Sequence, residues 1–192
     1  MTDGAASSHQ PLRVGYLTRP ELRDALERAG VQLNDAARTL LESAAFDESR
    51  TESFCVVLRT VKDLHLSKEA SYSAILAAGK ARGLLPCPLA TAPYLRLATL
   101  DQMNAPDSIL SNGSAPSGSV TLASLRPTGD LPTGFYLRVI DGVPWLRGYH
   151  ATDDHHWPPE DSLAFRVECT SARHLARRAD SRETSRGLRV PR

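Results

Sequence analysis

Nowhere does the chain hold the roughly 20 consecutive apolar residues that a membrane-crossing helix needs. Its opening stretch, MTDGAASSHQPLR, lacks the apolar core of a secretory signal. The expectation is a cytoplasmic protein with no membrane partner. Cysteine is scarce: Cys55, Cys87 and Cys169 make an odd count of three with no C-x-x-C spacing, which predicts free thiols in a reducing compartment. Aromatics make up only 6% of residues, so aliphatic side chains must fill most of the core. Catalytic signatures are missing too. There is no G-x-S-x-G elbow and no H-E-x-x-H zinc helix. The run AAGKAR (Ala77 to Arg82) is not a phosphate loop, because Ala74 and Ala81 stand where a glycine and a hydroxyl residue are required. No internal repeat is present.

What remains is a 192-residue chain, a length that suits one domain with extensions. Net charge is +1 but unevenly placed: Ser171 to Arg192 carries seven arginines against Asp180 and Glu183, a local +5, and the rest carries −4. Residues 1–13 are small and polar and read as a disordered N-terminus. Residues 171–192 read as a basic, disordered tail that could touch nucleic-acid phosphates through Arg173, Arg177, Arg178 and Arg182. Between them lies a single domain, residues 14–170.

Local signals place its elements. Thr18 and Glu21 form a capping box around Pro20, and Leu22, Ala25, Leu26 and Ala29 share one helical face. A second helix follows Asn34, and a third spans about Ser71 to Arg82, stopped by Gly83. SFCVVLRTV (Ser53 to Val61), YLRLATL (Tyr94 to Leu100), SVTLASL (Ser119 to Leu125) and LAFRV (Leu163 to Val167) read as strands. In GFYLRVIDGVPWLRGY, Asp141-Gly142 supplies a type I′ hairpin turn between alternating strands. Residues 103–118, rich in Ser, Asn, Pro and Gly, read as a mobile loop. The fold class is therefore α+β: N-terminal helices packed on a small, mainly antiparallel sheet of about five strands.

Leu85 and Cys87, Leu95 to Leu97, Asp101-Gln102, Trp145-Leu146, and Asp154, Trp157 and Pro159 approximate a pattern L-C-P, L-R-L, D-Q, W-L, D-x-x-W-x-P. In this the chain resembles a family of small bacterial proteins to which no activity is attached. Pro86 interrupts the first element, and W-P-P replaces W-x-P in the last. The likeness covers about residues 18 to 168 and treats the 103–118 loop as an insertion. It implies a shared fold unit and transfers no catalytic residue.

Chemistry concentrates in GYHATDDHHWPPED, which holds three of the six histidines. His150, Asp154 and His156 are the candidate divalent-metal ligands, and Asp153, Asp154 and His156 the candidate catalytic groups, with His155 as a further acid-base partner. Their spacing matches no known ligand set, and a solvated connection closed by Asx-turns explains them equally. Cys87, between two prolines, could act as a nucleophile only beside a base such as His65 or His150, and a buried inert thiol is the commoner outcome. Tyr136, Arg138, Trp145, Arg147, Tyr149 and Trp157 are residue types that dominate binding hot spots. The reading is a non-enzymatic binding or protein-interaction module without a cofactor, its contact surface the 134–161 hairpin and loop and its partner another protein. The alternative is a small metal-dependent or acid-base hydrolase centred on His150, Asp154 and His156.

Overall fold

The computed structural model describes residues 11–47, 50–109 and 115–169. The expected basic tail lies outside these residues, as do most of the expected N-terminal extension and the middle of the 103–118 loop. The elements run β1 (Leu12–Val14), α1 (Arg19–Arg28), β2 (Gln32–Leu33), α2 (Asp35–Leu41), β3 (Glu52–Thr60), β4 (Ala70–Ser71), α3 (Tyr72–Lys80), α4 (Thr91–Ala98), β5 (Val120–Leu122), β6 (Gly134–Ile140), β7 (Val143–Tyr149), β8 (His156–Trp157) and β9 (Ser162–Val167).

The class is α+β, with two corrections. The main sheet has seven strands rather than five, in the order β1-β3-β9-β5-β6-β7-β2, and β4 pairs separately with β8. The helices are also not gathered at the N-terminus: α3 and α4 follow β3, and β1 precedes every helix. Pairing is antiparallel except at β5-β9 and β2-β7. The extra strands are two or three residues long, too short for an alternation pattern to announce them. Two N-terminal segments, β1 and β2, occupy opposite edges of the sheet.

Local chemistry explains the helices. Glu21 Oε2 accepts from the Thr18 backbone N–H at 2.8 Å while the Thr18 side chain accepts from Glu21, the reciprocal cap that starts α1. Asn34 caps α2 and Ser71 caps α3. Tyr94 to Leu100, expected as a strand, instead belongs largely to α4. Pro93 sits in its first turn, where a missing N–H costs nothing, and Thr91, Ala92, Tyr94, Leu95 and Arg96 are all buried. Consecutive burial of this kind hides the helical period. The hairpin matches expectation: Asp141 and Gly142 adopt φ of 50° and 75°, the positive values a type I′ turn requires.

Strand alternation then divides the core in two. On one face of the sheet, Phe135, Leu137, Leu146 and Leu122 meet Leu22, Leu26, Leu40, Leu41 and Leu95 from α1, α2 and α4. On the other, Val57, Leu163, Phe165 and Ala123 meet Tyr72 and Ile75 of α3 and Trp157 of β8. Each fully buried Leu, Phe or Ile contributes about 1.5–3 kcal/mol by leaving water. This second core covers only the β3-β9 half of its face. Towards β6 and β7 the same face is covered at one end by residues 105–109 and 115–118, and a strip between the two covers stays open.

The cysteine expectation needs correcting. Antiparallel pairing sets Cys55 opposite Val167, and Cys169 follows two residues on, so a Cys55–Cys169 disulfide closes across 5.0 Å between Cα atoms. The 114-residue separation gave no hint of it. Only Cys87 is a free thiol among the described residues, and burial raises it to about 12. It donates to the Ala164 carbonyl, the setting of a buried structural thiol.

Candidate functional site

The open strip of sheet is a cleft of about 420 Å³. Its floor is a row across three strands: Thr121 pairs with Tyr136, and Tyr136 with Arg147. Because these are directly opposed residues, their side chains leave the sheet on the same side. One wall is Tyr149, His155 and Trp157 together with the loop that starts at His150; the other is Ala115 and Pro116. At the β7 edge the cleft reaches Asn34 and Ala36.

Aromatic packing shapes the first wall. Tyr149 lies 6.3 Å from Tyr136 between ring centroids, and His155 meets the buried Trp157 edge-on at 4.3 Å. Trp157 also packs on Tyr72 at 5.1 Å, which anchors the loop to the second core. Tyr72 in turn donates to the Ser124 carbonyl at 2.8 Å and accepts from its N–H at 2.9 Å, so β5 is fixed to the same unit.

Electrostatically the cleft is one-sided. Arg147 stands over the Trp145 ring at 5.1 Å and hydrogen-bonds the Tyr136 side chain. No ion pair joins Arg147 to a carboxylate among the described residues, and its Nε is buried without a partner. No lining residue is acidic. Burial raises the Tyr136 and Tyr149 hydroxyls, Arg147 opposing the shift at Tyr136. Burial, and then His156, lowers His155, which is therefore neutral at neutral pH.

Of the six residues expected to form a contact surface, Tyr136, Arg147, Tyr149 and Trp157 line this cleft, and Trp145 supports Arg147 from beside it. Arg138 does not take part. It is fully buried, donating to the carbonyls of Asp107 at 2.7 Å and Ser117 at 3.0 Å, to that of Ile109, and to the Asp107 carboxylate at 2.8 Å. Gly148, His150, Ala151, Thr152 and His155, all in the stretch already suspected, also line the cleft, whereas Asn34, Ala36, Ala115, Pro116 and Thr121 were not foreseen there.

The metal and acid-base candidates do not assemble. Among the described residues no three His, Cys, Asp or Glu side chains gather to hold an ion. His150, Asp153, Asp154 and His156 are all exposed. Asp153 pairs with Arg126 at 2.6 Å, and the Thr152 hydroxyl holds Asp154 below the usual carboxylate range. His156 Nδ1 lies 2.7 Å from the Asp154 carbonyl.

Several residues of the shared motif pattern turn out to be structural. Arg96, fully buried, donates to Gln102 Oε1 at 2.9 Å and to the Arg138 carbonyl at 3.3 Å, and Gln102 Nε2 donates to the Gly118 carbonyl at 3.1 Å. Leu146 and Trp157 lie in the cores. No family model matches the chain, and neither does any curated protein or solved structure. The likeness to a bacterial family therefore rests on those motifs alone. No helix among the described residues is long and apolar enough to cross a membrane.

Proposed function

We propose that this protein is a non-enzymatic binding module whose receptor surface is the 134–161 hairpin and loop. One observation carries the reading: Tyr136, Arg147, Tyr149 and Trp157 converge on one cleft of about 420 Å³, inside the range of about 300–1,000 Å³ typical of ligand sites. Aromatic walls and a single cation are features of recognition surfaces. Asp154 and His156 are exposed and no three metal-ligating side chains gather among the described residues, so the hydrolase alternative has no assembled centre to support it.

A fragment screen read by backbone amide shifts tests this. Hits should move the amides of residues 147–157 and Thr121, and Ala151→Trp, which plugs the cleft, should abolish those shifts. Hits confined to other surfaces would end the proposal. Turnover of a bound fragment would end its non-enzymatic part. A bacterial setting, taken from the motif likeness, and a cytoplasmic one, taken from the opening stretch and the cysteine count, are part of the proposal, but a reducing cytosol would hold Cys55 and Cys169 as thiols. Thiol labelling in fresh cell lysate decides between the two.

A further inference from the structure

We infer that the cleft takes a small organic anion: a planar aromatic body carrying a carboxylate. This deepens the binding reading and rests on it.

The anion follows from Arg147. Its guanidinium lies on a part-buried cleft floor, held by Tyr136 and by the Trp145 ring, and it forms no ion pair among the described residues. A cation withdrawn from water without a counter-charge is unfavourable, and the planar fork of arginine matches a carboxylate in two parallel hydrogen bonds. The lining contains no acidic side chain to compete for it, while Thr121 and Tyr136 place hydroxyl groups in the same row. Other buried arginines differ. Arg96 and Arg138 are both fully enclosed, out of a ligand's reach: Arg138 donates to backbone carbonyls and Asp107, and Arg96, whose Nε is also unpartnered, donates through its Nη atoms to Gln102 and backbone carbonyls. Arg147 is the arginine lining the cleft.

The planar body follows from the walls. Tyr149, the His155–Trp157 pair and Pro116 present ring faces and edges rather than flexible chains, and such surfaces favour offset or edge-on contact with a flat ring. The cleft is closed at the β7 edge by the Asn34 carboxamide, whose oxygen and nitrogen are already engaged by Gly148, so that end adds shape without a competing charge.

The test compares 2-naphthoate with neutral 2-naphthamide, titrated into the full chain and followed by amide shifts. Naphthoate should bind at the cleft at least about tenfold more tightly, as one charge-assisted pair of hydrogen bonds provides. Arg147→Gln should remove that preference, so that the two probes bind this variant equally, and Arg147→Lys should retain part of it. An unshifted thermal transition in Arg147→Lys guards against a folding artefact. Equal binding of the two probes, or a preference surviving Arg147→Gln, would overturn the anion while leaving the cleft as a binding site. Failure of both probes to move any cleft amide would overturn the cleft itself. A third arm uses a short peptide ending in tryptophan with a free carboxylate: tighter binding than naphthoate would replace the small molecule with a chain terminus as the source of the anion.

Discussion

Asn34 satisfies both backbone groups of Gly148 with one carboxamide: its Nδ2 donates to the carbonyl at 2.9 Å and its Oδ1 accepts from the N–H at 2.8 Å. The same oxygen caps α2 by accepting from Ala37 N–H at 3.0 Å. Strand β2 ends at Leu33, so the side chain of Asn34 continues the ladder where backbone pairing stops. Asn34→Ala should therefore remove a helix cap and orphan two backbone groups at once, costing about 2–3 kcal/mol in urea unfolding. Asn34→Asp should restore the α2 cap but not the ladder, because it keeps the acceptor and turns the donor into an oxygen that faces the Gly148 carbonyl.

Gly148 is there for space. A Cβ on it would lie 2.5 Å from the Ala36 carbonyl carbon and 2.6 Å from the Ala37 nitrogen, and backbone cannot yield as a side chain can. Gly148→Ala should destabilise by more than about 3 kcal/mol and shift the α2 amides. Gly142, with φ of 75° and open surroundings, supplies the contrast. Its alanine variant should lose only about 1–2 kcal/mol, from left-handed backbone strain.

Arg138 binds the loop to the sheet. Arg138→Met keeps the apolar stem but strips four hydrogen bonds from Asp107, Ile109 and Ser117. The expected loss is about 2–3 kcal/mol, with faster protease cutting between residues 105 and 118. Acid should act on the same contact. Ser117 and then Arg138 hold Asp107 below 3.8, so its contribution is complete above that pH and disappears as pH falls through the lower folded value. Limited proteolysis across a pH series checks both.

Asp161 has the opposite sign. Burial, reinforced by Glu160, raises it from 3.8 to about 6, and its Oδ2 has no partner. The native state thus holds the proton more tightly than the unfolded chain, and stability declines as pH rises from 3.8 through about 6. Asp161→Asn should raise the melting temperature at pH 8 by roughly 2–4 °C, after discounting for the exposed part of the side chain. Below pH 3.8 the gain should vanish.

Reducing Cys55–Cys169 opens a cross-link between residues 114 apart. The melting temperature should fall by roughly 5–15 °C, and a Cys55→Ser variant should ignore the reductant. Iodoacetamide should leave the native oxidised protein unlabelled and add one group after denaturation, at Cys87, whose thiol is buried.

Legibility in the sequence followed the range of each interaction. The cap at Thr18, the Asp141-Gly142 turn and the strand through Phe135, Leu137 and Val139 are written within a few residues, and all appear in the fold, although that strand is buried along its whole length. The helix over Thr91–Ala98 was hidden because its residues are buried nearly all round, which erases the polar face that marks a helix. Arg138 and Arg147 alternate with apolar neighbours in the same way, yet one is sealed by Asp107, Ile109 and Ser117 and the other lines the cleft. What separates them is a loop arriving from 30 positions earlier in the chain. Asn34 and Thr121 reach the cleft for a similar reason: strand order, not spacing, puts Asn34 beside Gly148 and Thr121 beside Tyr136.

The placement of β1 and β2 at opposite margins of the sheet has a consequence for biosynthesis. Residues 12–33 leave the ribosome before any strand they must join, and Leu33 waits for Leu146 to be made. The β1 margin can pair as soon as residues 52–54 emerge, but the β2 margin cannot be sealed until the hairpin has been translated, so β2 must stay without its partner strand through most of the synthesis of the domain. Completion is a closing act in which an early segment, β2, docks on a strand made more than a hundred residues later.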